Sequence, residues 1–69
     1  MFEKLKENEL KEIWIDYYIS KKEGRRCESI VPYAEKYHEK FGDLMSLRTA
    51  IDLVSIMFLE EIAKRYFGN

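Results

Sequence analysis

Three stretches of helical periodicity run along the chain, and each is followed by a glycine. In the first, Leu10, Ile13, Trp14, Tyr17 and Tyr18 step by 3, 1, 3 and 1, which lays them on one face of an α-helix. Ile15 and Ile19 fall off that stripe, so the face is either wide or shared with a second contact. The pattern predicts a helix over about 3–22, with Glu3 and Glu7 suiting its positive N-terminal end. Asn8 is the alternative cap for a later start. Trp14, in mid-stripe, is the expected central core residue of this helix.

The second stretch predicts a helix over about 29–41. Ser29 is a plausible N-cap, and Pro32 falls in the first turn, where its missing N–H costs nothing. Ile30, Ala34, Tyr37 and Phe41 step by 4, 3 and 4, while Glu35, Lys36, Glu39 and Lys40 fill the other side. The third stretch predicts the longest helix, about 44–67, with Asp43 or Ser46 as its cap. Gly24, Gly42 and Gly68 stand where left-handed residues end helices. No segment alternates cleanly enough for a strand. The expected fold is an all-α three-helix mini-domain.

The third helix does not keep one apolar stripe. At about 100° per residue, Leu47, Ala50, Ile51, Val54 and Phe58 share a face in its first half. In its second half Leu59, Ile62, Ala63 and Tyr66 lie near the direction set by Arg48 and Asp52, and Glu61 and Arg65 occupy the line that Val54 and Phe58 held. Two short helices cover one of these sides. The other then exposes a patch large enough to call for a partner. The expectation is a homodimeric helical bundle whose self-association interface is Leu59, Ile62, Ala63, Tyr66 and Phe67, a two-fold arrangement being the commonest way to close such a surface. Wrapping of the first two helices around the third is the alternative.

Composition sharpens this. The chain has 69 residues, enough for one domain spanning 1–69 and too few for a large core. A single cysteine, Cys27, excludes an internal disulfide, and a single histidine, His38, excludes a Cys/His zinc cluster. With 46% hydrophobic and 36% charged residues the chain is not disordered in type, and a net charge of −1 gives no global field toward nucleic acid or anionic membranes. The longest apolar run, Ile51–Leu59, is interrupted by Asp52 and Ser55. The first residues lack the apolar core of an export signal. A lone thiol in such a chain points to a cytoplasmic protein.

Candidate chemistry is sparse. Glu35 and His38 stand three apart, a spacing used in carboxylate-bridged di-metal bundles, but no second motif or inward glutamate accompanies them. Cys27, between Arg26 and Glu28, is either a thiolate activated by its cationic neighbours or a thiol packed under a loop. No phosphate loop or nucleophile–base order is present, and neither catalysis nor a cofactor is expected. Lys21, Lys22, Arg25 and Arg26 make the 21–26 loop the most basic segment and are candidate phosphate contacts. The second and third helices form a helix–turn–helix-like pair around Gly42, but only Arg48 and Thr49 stand near the start of the would-be reading helix. Five tyrosines, Tyr17, Tyr18, Tyr33, Tyr37 and Tyr66, suit a core rim or an interface. The sequence therefore reads as a small non-catalytic protein–protein interaction module, a regulator, adaptor or inhibitor, acting as a homodimer. A nucleic-acid-binding regulator using the basic loop is the first alternative, and a metal-binding helical bundle the second.

Overall fold

A computed structural model describes residues 1–68 of the chain. It contains three α-helices, α1 (Glu7–Glu23), α2 (Val31–Phe41) and α3 (Leu47–Tyr66). The first helix starts later than the acidic residues at 3 and 7 imply, and neither Glu3 nor Asn8 begins it. Lys6 is the cap residue, in extended conformation, and its N–H donates to the Glu9 carboxylate at 2.8 Å. A side chain three residues into the helix thus satisfies the orphan donor that a polar cap would otherwise have served.

Residues 1–6 instead form an arm whose Phe2 is fully buried. The Phe2 ring lies 4.7 Å from Tyr33 and 5.3 Å, edge-on, from Phe58. It is joined in the core by Leu10 and Ile13 of α1, Cys27 and Ile30 of the following loop, Ala34 of α2, and Ala50, Val54, Phe58 and Ile62 of α3. The closest helix pair is α2 and α3. Ala34 and Ala50, both fully buried, let two helix backbones approach there. Every buried side-chain nitrogen and oxygen among the described residues has a hydrogen-bond partner.

Trp14 is not the central core residue of α1: it is 38% exposed. The buried line of α1 runs through Leu10, Ile13 and Ser20, with Tyr17 half-buried beside it. Phe2 and Phe58 fill the place an indole would have taken. Trp14 sits at the rim, 6.2 Å from the Phe58 ring and stacked on Tyr17 at 6.4 Å.

The remaining boundaries follow local chemistry. Gly24 is left-handed, with φ 68°, and its N–H bonds back to the end of α1. Gly68 also has positive φ, but Gly42 is right-handed, with φ −54°. The α2–α3 turn is held otherwise: the His38 ring Nδ1 donates to the Met45 carbonyl at 3.1 Å, and the Ser46 hydroxyl accepts from Thr49 N–H at 3.1 Å to cap α3. Ser29 does not cap α2. Its N–H points to Asp16 instead, and the helix begins two residues later behind Ile30.

The polar line Glu61–Arg65 on the inner side of α3 also finds its use. Arg65 Nε donates to Glu61 at 2.7 Å, and Nη2 donates to the carbonyls of Glu3 at 2.9 Å and Phe2 at 3.3 Å. Where the apolar stripe of α3 fails, the arm folds over it and the guanidinium binds its backbone. One planar fork serving several acceptors is what arginine does and lysine cannot. No described helix is long and apolar enough to cross a membrane.

Candidate protein-interaction surface

The Cα envelope measures 35 × 28 × 17 Å. With helix axes about 8–10 Å apart, the thin dimension holds roughly two layers, so each helix keeps an outward face. On α1 that face is apolar. Ile15 is 57% and Tyr18 56% exposed, and Ile19 and Trp14 stand beside them. Trp14 also borders a groove of about 230 Å³ with Lys11, Ile62, Tyr66 and Phe67, so the α1 face continues onto the C-terminal end of α3. Phe67 is 78% exposed.

The residues expected to form the self-association interface are divided by the fold. Tyr66 and Phe67 are exposed and share the groove with Trp14. Ala63 is exposed on another side, where it and Phe67 border a hollow with Met57, Glu60, Glu61 and Lys64. Leu59 is half-buried against the core, beside Tyr17, Lys21 and Arg25. Ile62 corrects the expectation that it lies outside the subunit: it is 6% exposed and extends the Ala50–Val54–Phe58 line by one more step of four. The apolar stripe of α3 drifts round the helix and does not jump, because successive steps of four residues advance about 40° each. Helix α1 and the arm follow the drift.

The basic loop has an internal role. Arg25 Nε donates to Glu23 at 2.8 Å, Nη2 to Asp16 at 3.3 Å, and Nη1 to the Arg26 carbonyl at 3.2 Å. Lys21 and Lys22 lie over the Tyr17 and Tyr18 rings, at 5.6 and 5.5 Å from their centroids. Of the four candidate phosphate contacts, Arg25 is thus committed to two carboxylates and a carbonyl, and the two lysines sit at the end of the aromatic face of α1.

Asp16 is the hub of this loop. It accepts from Ser29 N–H at 3.0 Å, from the Cys27 thiol at 3.4 Å and from Arg25. Ser29, through its hydroxyl and backbone N–H, and then Cys27 and Arg25, hold the Asp16 carboxyl at about 2. Burial in the core, followed by the neighbouring carboxylate, pushes the Cys27 thiol up. Cys27 is thus the packed thiol and not an activated one.

A carboxyl whose pKa is depressed on folding stabilises the fold above its ordinary range, and that contribution disappears as pH falls through the folded value. For Asp16, a quarter exposed, solvent screening leaves a contribution on the order of 1 kcal/mol. Asp16→Asn is expected to lower the unfolding free energy from urea denaturation at pH 7 by that amount. The difference from the unsubstituted chain shrinks between about pH 5 and pH 2. A gap that is constant over this range would show that the carboxylate charge contributes nothing.

Glu35 is exposed, and His38 is tied to the Met45 carbonyl. Among the described residues no three His, Cys, Asp or Glu side chains are grouped to hold a metal ion. The surface that sequence reasoning missed is the outer face of α1. Its signal was present in Ile15 and Ile19, the two residues that fit no single stripe. The chain matches no known protein family, no curated protein and no solved structure.

Proposed function

We propose that the chain is a small non-catalytic interaction module that works through protein–protein contacts as a homodimer. One observation carries this reading: Trp14, Ile15, Tyr18, Ile19, Tyr66 and Phe67 are all at least 38% exposed, although the core is complete without them. Three of these are tyrosine or tryptophan, the residue types that dominate the energetics of protein interfaces. Aromatic side chains of this size left in water are costly in a chain with so little core of its own, and their burial against a partner recovers that cost. Regulator, adaptor and inhibitor roles all use such a surface. The basic loop supports the nucleic-acid alternative less well, because Arg25 already carries two carboxylate partners.

Sedimentation velocity at micromolar concentration tests the proposal. The expected result is a species of twice the chain mass. A single monomeric species removes the homodimer. Shifts with mixed DNA or RNA that weaken steeply between low and moderate salt would favour the alternative.

A further inference from the structure

The apolar face of α1 carries an ordered set of charges. On a helical wheel Glu7, Lys11, Ile15, Tyr18 and Lys22 fall within a sector of roughly 80°, with Trp14 and Ile19 at or just beyond its edges. All seven are exposed. Along the axis the order is an acid, a lysine, four apolar residues and a second lysine, which already lies over the Tyr18 ring.

Building on the homodimer reading above, we infer that the occupant of this face is a second copy of the chain, its α1 crossing antiparallel about a two-fold axis between Trp14 and Ile15. Charge order selects this arrangement. With the axis there, Glu7 meets Lys22 of the partner subunit, Lys11 meets Tyr18 of the partner subunit, and Trp14 meets Ile15 of the partner subunit. A parallel crossing sets Glu7 against itself and each lysine against itself. An antiparallel crossing centred between Asp16 and Tyr17 sets Lys11 against Lys22. Like charges at either register weaken association.

The rest of the surface agrees. Tyr66 and Phe67 border the Lys11–Trp14 half of α1. A two-fold axis at that centre therefore brings Tyr18 and Ile19 of the partner subunit to them, so the apolar groups of this face meet one another. Taking aromatic and large aliphatic side chains at about 150–250 Å² each, the exposed portions of the six amount to roughly 600 Å². With the flanking lysines and Glu7 this approaches the ~800 Å² per partner of a standard interface. A net charge of −1 gives no general attraction to an anionic membrane, the other surface that an aromatic helix with flanking lysines would suit.

Sedimentation of the full chain and its variants, with helix content followed by circular dichroism, tests the inference. Ile15→Glu, at an exposed position, is expected to give a monomer with unchanged helix content. Glu7→Lys and Lys22→Glu are each expected to weaken the dimer about five-fold, since a two-fold interface counts every pair twice. The double variant E7K/K22E restores affinity to within about two-fold. A monomeric unsubstituted chain overturns both the homodimer and this geometry. A dimer that Ile15→Glu leaves intact overturns the geometry alone and moves the interface elsewhere. An unsubstituted monomer that binds phosphatidylserine vesicles through Ile15 overturns it in favour of a membrane surface.

Discussion

Ile62→Asp is expected to unfold the protein, not to dissociate it. The side chain is 6% exposed and ends the buried line of α3. Exchanging it for a carboxylate removes about 2–4 kcal/mol of burial and packing and places a charge where desolvation costs several more. A chain of this length has only about 3–5 kcal/mol of core stability to lose. Circular dichroism should show most of the helix signal gone at 25 °C, while Ile62→Ala retains a lowered, broadened melting transition. Ile15→Glu on the outer face is the internal comparison, with an expected change in monomer stability below about 0.5 kcal/mol. An Ile62→Asp variant that keeps its helices and merely halves its mass would return Ile62 to the interface and displace it from the core.

That contrast marks where the sequence was legible and where it was not. Local periodicity carried the number of helices and the inward set Ala50, Val54 and Phe58, and narrowed the α3 cap to Asp43 or Ser46, because these depend on neighbours within one or two turns. The polar line through Glu61 and Arg65 was legible as well, but the second apolar face was not: Ile62, expected on it, continues the buried line. What covers the polar line was not legible either. Phe2 lies eight residues from the nearest buried side chain of α1, and its carbonyl and that of Glu3 accept from Arg65, more than sixty positions away. No helical pattern reports a contact of that range. Ser29 illustrates the same limit at shorter reach: its position before Pro32 suits a cap, yet its hydroxyl and its N–H both serve Asp16 of the preceding helix. The candidate surface was half legible. The periodicity of α3 sets Tyr66 and Phe67 off the inner line, where they are exposed, while Trp14 reads as inward because a tryptophan in mid-stripe is normally core. The arm supplied Phe2, packed against both Tyr33 of α2 and Phe58 of α3, and this left Trp14 its place at the rim.

The second large effect concerns the arm itself. Phe2→Ala is expected to cost about 3–4 kcal/mol, since the ring is fully buried against Tyr33 and Phe58. Such a loss consumes most of the stability of the fold, so Phe2→Leu, at about 1 kcal/mol, gives the measurable step in urea denaturation. Arg65→Met removes the donors to Phe2 and Glu3 and leaves Glu61 unpaired. An arginine half-buried at this site is expected to contribute about 1–2 kcal/mol through its charge-assisted bonds. The two substitutions should not add. Once Phe2 no longer anchors the arm, its carbonyls leave Arg65, and the guanidinium has less to lose. A coupling of about 1 kcal/mol in the double-mutant cycle of Phe2→Leu and Arg65→Met is therefore expected. Strict additivity would mean that the ring and the guanidinium hold the arm independently, and that the polar line of α3 is covered for some reason other than the arm.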